Sequence, residues 1–369
     1  MAVRAEFQIF QILNEEGNTV RGIPELSPDR LLAVYQGMKT IRLLDEKMIG
    51  LQRQGRIGFY GASTGEEAAV IGSAEALKPE DWIFPALRQG GALLYRGFHL
   101  KDFISQVFGN SGDLHKGHQM PCHYSSRSFH HTAWSSCIAT QLPHAVGAGY
   151  ASKYLNETSV IFAYLGDGAT STADFHAALN FAGVFRVPVV FFCQNNQWAI
   201  SVPLEKQTAV KFLSLKASAY GIPGICVDGN DVLACYHASK EAADKARKGA
   251  GPTFIEAVTF RVGAHTTSDD PKLYRDESMV EAWKKRDPIL RMRKFLESEK
   301  LWNQKMEKDL DKKIADEIQD AIEKVESFPP PEVETLFEDT FLKKSWNLIE
   351  QEKDLNCILH PEQLTANRF

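Results

Sequence analysis

Two short runs in this chain have the residue types and spacing to do chemistry together. Gly166-Asp167-Gly168 follows the apolar run at 159–165, and Asn195-Asn196 follows the apolar run at 188–193. Glycines let a backbone pass close to a phosphate, and the start of a following helix aims free N–H groups at it. Magnesium prefers hard oxygen ligands and shares its shell with phosphate oxygens. Asp167 offers a carboxylate, Asn196 an amide oxygen, and the backbone near Trp198 a carbonyl. These types fit a magnesium-bound diphosphate. Alone, Gly-Asp-Gly reads as a turn and Asn-Asn as a loop. Their joint position, each after a buried strand, carries the reading.

The two apolar runs lack the polar alternation of a half-exposed strand and suit strands buried on both faces. Residues 174–184 between them read as a helix. Strand, helix, strand at this spacing predicts a right-handed crossover in a parallel sheet. Both runs then reach one sheet edge, where open parallel sheets bind ligands. Residues 253–261 read as a further strand. Upstream, Ser27 and Pro28 predict a helix start. Leu31, Val34, Tyr35, Met38, Ile41, Met48 and Leu51 keep helical spacing up to Gly55, and a second helix is expected over 65–77. Residues 277–328 are charged and helical, Pro329-Pro330-Pro331 breaks them, and a last helix follows Trp346. The expectation is an α/β protein, a parallel sheet flanked by helices. An N-terminal arm and helix occupy 1–58, the α/β domain 59–276, and a helical tail 277–369 packs on the core or on a partner. Residues 1–26 read as an arm lying on another surface.

A net charge of -5 gives no basic surface for nucleic acid. No run approaches the roughly 18 apolar residues that span a bilayer. The first residues show no targeting peptide, so a cytoplasmic location is expected. The six cysteines (122, 137, 193, 226, 235 and 357) form no C-x-x-C pair and read as buried free thiols in a reducing compartment.

Around the two runs the chain resembles the alpha subunits of the thiamine-diphosphate-dependent decarboxylating component of 2-oxoacid dehydrogenase complexes. The runs that carry the resemblance include LQRQGRIGFY (51–60), GEEAA (65–69), GDLHKGHQMP (112–121), SSCIATQLPHAVGAGYA (135–151), FFCQNNQWAIS (191–201), YGIPGICVDGNDV (220–232) and GAHTTSDDPKLYR (263–275). LFEDTF (336–341) and the long helical tail favour the branched-chain, 2-oxoisovalerate type over the pyruvate and acetoin types. The resemblance implies a thiamine diphosphate-binding fold and roles for single residues. Arg88 contacts the diphosphate, and Gly166, Asp167, Gly168, Ala169, Thr170, Asn196, Trp198 and Ile200 surround it. Asp167, Asn196 and the Trp198 carbonyl hold magnesium. Ser136 and Ile138 flank the aminopyrimidine ring. Ser135, Thr140 and Gln141 match a potassium loop of some relatives. Phe59, Met120, His123 and Ser136 line the substrate pocket. His265 is the expected catalytic and cofactor-contacting residue, and His130, His131, His237 and His360 are expected to be structural or surface residues.

The chain departs from the family in places. Ala86 and Leu87 stand where polar or aromatic residues are usual, Thr172 and Ala173 where a Glu-Gly pair is common, and Gln194 where a charged residue is frequent. Thr266 stands where animal relatives carry a regulatory phosphoserine, so the resemblance does not by itself imply that regulation here. In the family, a glutamate from a second α/β domain completes cofactor activation, and after residue 276 this chain shows no second set of buried strands. The resemblance therefore implies a beta subunit, two alphas with two betas, and a lipoyl acyltransferase that accepts the acyl group from a 2-oxoacid. Two rivals stand beside it. One is a non-catalytic cofactor-binding scaffold. The other is a phosphoryl-transfer protein, which the lack of a G-x-x-x-x-G-K-[ST] loop disfavours.

Overall fold

The computed structural model describes residues 8–360. Helix α1 (Pro28–Arg53) starts as expected, with the Ser27 hydroxyl accepting from the Arg30 N–H. Then come α2 (Glu67–Glu75), strand β1 (Trp82–Phe84), α3 (Gly90–Tyr95), α4 (Leu100–Phe108) and α5 (Gln141–Tyr154). The central crossover is β2 (Ile161–Gly166), α6 (Ala173–Phe185) and β3 (Val189–Asn195). A two-residue-per-strand hairpin, β4 (Trp198–Ala199) and β5 (Val202–Pro203), precedes β6 (Gly224–Asp228), α7 (Val232–Arg247) and β7 (Thr253–Val258). The chain ends in α8 (Glu277–Lys284), α9 (Pro288–Ser298), α10 (Gln304–Glu326) and α11 (Trp346–Leu359).

The main sheet has the order β1-β2-β3-β7-β6, and its pairings are all parallel. Every residue of β3 is buried. Period-two alternation divides the strands between two apolar clusters. Phe162, Tyr164, Val190, Phe192, Ile255 and Ala257 join the helices α1, α2, α7, α9 and α10, while Ile161, Ala163, Leu165, Val189, Phe191, Cys193 and Phe254 meet α5 and α6. Full burial of each such large side chain contributes roughly 1.5–3 kcal/mol. α2 crosses α7 so closely that a Cβ on Gly72 would sit 2.6 Å from the Val232 carbonyl oxygen.

Of the arm, residues 1–7 lie outside the described residues, and Phe10, Ile12 and Leu13 pack on their own chain. Phe10 bridges to Val227 beside β6, and the backbone N–H groups of Ile12 and Leu13 both donate to Asp231 Oδ2. The other Asp231 oxygen caps α7 through Leu233 and Ala234. The apolar face of α1 is likewise covered from within, by α2, α9 and α10. α11 differs: none of its residues is buried. Four cysteines are buried, but Cys137 is in an exposed loop and Cys357 is half-buried on α11, a helix with no buried residue. Among the described residues, no helix is long and apolar enough to cross a membrane.

Candidate functional site

β2 ends at Gly166 and β3 at Asn195, and their register pairs Gly166 with Gln194. At this edge opens a cavity of about 630 Å³. A single turn of 3-10 helix, Asp167–Ser171, separates the strand from α6, so the helix does not follow the glycine run directly. Thr172 caps α6 by accepting from the Phe175 N–H. Gly168 permits a close approach of the β4 loop: a Cβ there would meet the Ala199 Cβ at 2.6 Å.

One wall of the cavity is polar and buried. Asp167 is 2% exposed, and its Oδ2 accepts from Gln207 Nε2 at 2.9 Å. Burial raises the Asp167 carboxyl to about 6. Arg88 donates through Nη1 to the Ala62 carbonyl, and through Nη2 to the His265 carbonyl (2.7 Å) and ring Nδ1 (3.0 Å). Its Nε lies 3.4 Å from Glu66 Oε1. An arginine can only donate, so Nδ1 of His265 is bare and the neutral ring carries its proton on Nε2. Burial, then the charges of Arg88 and Arg261, push His265 down to about 3. The ring therefore stays neutral through the physiological range. Its loop is pinned by His265 N–H to Asp269 (2.7 Å) and by Arg275, whose guanidinium donates to the Val262 carbonyl.

The lining also has an apolar part, formed by Phe59, Met120, Trp134, Ile138 and Ile200. Here His123 stacks on Trp134 at a centroid distance of 4.0 Å. His123 Nδ1–H donates to the Pro121 carbonyl (3.1 Å), which leaves Nε2 to accept from the Ser136 hydroxyl (3.4 Å).

The sequence model of the family described as dehydrogenase E1 component matches residues 35–334. The chain belongs to the dehydrogenase E1 component family. It is 43% identical to 2-oxoisovalerate dehydrogenase subunit alpha 2, mitochondrial, of Arabidopsis thaliana, over 93% of this chain and 73% of that protein. It is 40% identical to the human 2-oxoisovalerate dehydrogenase subunit alpha, mitochondrial, over 94% of this chain and 79% of that protein. The Dictyostelium discoideum protein of the same name is 39% identical over 98% of this chain and 83% of its own length.

The family's cofactor is thiamine diphosphate, and the donor set of this E1 component chain suits it. Hard oxygens (Asp167, Asn196) stand beside a guanidinium (Arg88), and a Cβ built on Gly166 would meet nothing within 4 Å. Among the described residues, no three His, Cys, Asp or Glu side chains cluster to hold a metal by themselves. A divalent ion here would need amide, carbonyl and phosphate oxygens as well.

The E1 component cavity gathers Phe59, Arg88, Met120, His123, Ser136, Ile138, Gly166, Asp167, Gly168, Ala169, Asn196, Trp198, Ile200 and His265. Thr170 is not among its lining residues. Its side chain turns inward, donating to the Asp167 carbonyl (2.8 Å) and accepting from Lys216 (2.8 Å). Of the residues matched to a potassium loop, Ser135 and Gln141 line the cavity and Thr140 does not. Sequence reasoning gave no role to Glu66, Gln89, Trp134 or Gln207, which buttress the site. The GEEAA run was a signal for Glu66, but spacing alone does not connect it to Asn196, 130 positions away.

Proposed function

We propose that the chain is the alpha subunit of a branched-chain 2-oxoacid dehydrogenase. With a beta subunit, two of each, it carries out thiamine-diphosphate-dependent oxidative decarboxylation of 2-oxoacids such as 3-methyl-2-oxobutanoate. The acyl group passes to one sulfur of the lipoyl disulfide of a dihydrolipoyl acyltransferase; the S–S bond breaks, the electron pair left by decarboxylation reduces it, and the second sulfur leaves as a thiol. The observation that carries this reading is the single cavity in which Arg88, Asp167, Asn196 and His265 face an apolar wall. The similarity to 2-oxoisovalerate dehydrogenase alpha subunits supports the branched-chain substrate.

When bound, the cofactor supplies the nucleophilic carbon and the electron sink for decarboxylation. The chain's residues hold and orient it. Arg88 holds the diphosphate, as a forked cation suits. Asp167, the Asn196 amide oxygen and the Trp198 carbonyl hold magnesium, and Ser135 and Gln141 belong to a potassium loop. Ser136 and Ile138 position the pyrimidine end. Phe59, Met120 and His123 form the side-chain pocket, where an aromatic and aliphatic wall suits a branched acid. His265, neutral with its proton on Nε2, donates a hydrogen bond there and guides the acyl group to its acceptor.

The test is carbon dioxide release by this chain co-purified with its beta subunit, with thiamine diphosphate and magnesium. Faster turnover of 3-methyl-2-oxobutanoate and 4-methyl-2-oxopentanoate than of pyruvate is expected. Preference for pyruvate overturns the substrate, and no release with cofactor bound overturns the catalytic role.

A further inference from the structure

Glu66 sits in the turn before α2, 1% exposed, yet faces the cavity. Both its oxygens are taken by neutral amides. Gln194 Nε2 donates to Oε2 and Asn196 Nδ2 to Oε1, each at 2.9 Å. A carboxylate can only accept, so both amides must turn their NH2 ends toward it. The consequence runs outward in two directions. On one side, Gln194 Oε1 accepts from Gln89 Nε2, and Gln89 Oε1 accepts from the Ala86 backbone N–H at 2.7 Å. On the other, Asn196 Oδ1 accepts from the Trp198 backbone N–H at 3.2 Å. The relay thus has an acceptor-only group at its centre and fixed backbone donors at both ends. No amide in it can flip without facing donor to donor or acceptor to acceptor. The only cation within ion-pair distance of Glu66 among the described residues is Arg88, at 3.4 Å.

We propose that Glu66 is a positioning residue for the diphosphate site: its carboxylate fixes the Asn196 amide with the oxygen, not the nitrogen, turned toward the Trp198 loop and available to a metal. The inference rests on the reading of this edge as a magnesium and diphosphate site. It also gives Gln194 a purpose. Where relatives often carry a charge, this chain carries a side chain that can both donate to Glu66 and accept from Gln89.

A glutamine in place of Glu66 has nearly the same shape but can donate as well as accept. In Glu66→Gln the introduced NH2 end must face the NH2 of Gln194 or of Asn196, so that hydrogen bond is lost or that amide reverses against its own anchor, Gln89 or the Trp198 backbone N–H. The double variant Glu66→Gln/Asn196→Asp restores one orientation with the polarity exchanged, because the introduced amide then donates to an acceptor-only side chain that still offers an oxygen. The measurement is the thermal shift of the alpha–beta assembly, titrated with magnesium at fixed thiamine diphosphate. Loss of an oriented, charge-assisted hydrogen bond predicts a rise of about tenfold in half-saturating magnesium for Glu66→Gln. The double variant should return to within about threefold of the parent, a non-additive rescue. Asn196→Asp alone places two carboxylates together and should be weaker than the double. If Glu66→Gln titrates like the parent, or the double is worse than both singles, the inference fails. Should Glu66→Gln not assemble, the double against Asn196→Asp decides: rescue supports the inference and equal weakness overturns it. A parent that thiamine diphosphate and magnesium do not stabilise overturns the functional reading itself.

Discussion

The two walls of the cavity are built on different terms. On the polar wall Glu66, Arg88, Asp167, Gln194 and Asn196 are all buried, and every one is hydrogen-bonded within the chain. On the apolar wall Met120, Ile138 and Ile200 are 57%, 59% and 54% exposed. Apolar side chains of that size are normally covered, and a contiguous exposed patch marks a contact surface. The polar wall is therefore complete in one chain, and the apolar wall is not. The division is the one the proposed function calls for: diphosphate-holding groups supplied by this chain, and an apolar surface left for a second subunit to cover.

The comparison would break first at Arg88. Arg88→Ala removes the cation beside buried Glu66 and the donor to the His265 carbonyl together. Breaking a buried ion pair costs about 3–5 kcal/mol. We expect a loss of that order in urea unfolding, with no stabilisation by thiamine diphosphate. Arg88→Lys should not recover the cofactor response, since an ammonium cannot reproduce the guanidinium's separate bonds to Ala62, His265 and Glu66.

His265 comes next, because it belongs to the polar wall but is only partly buried. His265→Ala should lower the rate of lipoyl acylation by about 10²–10⁴-fold, with the fold intact by circular dichroism. An unchanged rate would return weight to a cofactor-binding scaffold. A third effect is smaller and depends on pH. The folded chain holds His265 near 3, whereas an unfolded histidine titrates near 6.5. Below about 6.5 the unfolded state binds a proton that the folded state refuses, so stability falls as pH drops from 7.5 to 5.5. Asp45 and Asp167, raised by burial to about 7 and about 6, act in the opposite sense. The difference between parent and His265→Ala isolates the histidine, and the variant should lose less stability on acidification.

Much of the polar wall was legible in the sequence, because long unbroken apolar runs announce β2 and β3 and the crossover fixes where they end. The edge strands were not. β1 is three residues long, and β6 starts at a glycine and is only partly buried, so neither gives a periodic signal. Adjacency to a glycine run did not show that the Thr170 side chain turns inward within its 3-10 turn, away from the cavity lining. Glu66 was invisible in its role, since its hydrogen-bond partners, Gln194 at the end of β3 and Asn196 just past it, lie 128 and 130 positions away. Ile138 entered only through resemblance; nothing in its local pattern separates a cavity wall from a core residue.

The smallest expected effect lies on the open wall. Ile138 and Met120 are largely exposed in this chain, so Ile138→Ala and Met120→Ala should change the stability of the alpha chain by no more than about 0.5 kcal/mol. A cost of about 2–5 kcal/mol, as for a core truncation, would show that the wall is already packed and would end the contrast between the two sides. In the alpha–beta assembly the same variants should register in selectivity. Each substitution removes three heavy atoms beyond Cβ from the pocket wall, which should shift the preference between neighbouring aliphatic substrates by roughly tenfold or more. The quantity to read is the ratio of kcat/KM for 4-methyl-2-oxopentanoate over pyruvate. A changed ratio with unchanged alpha-chain stability is the signature of a wall that works only once a second subunit closes it.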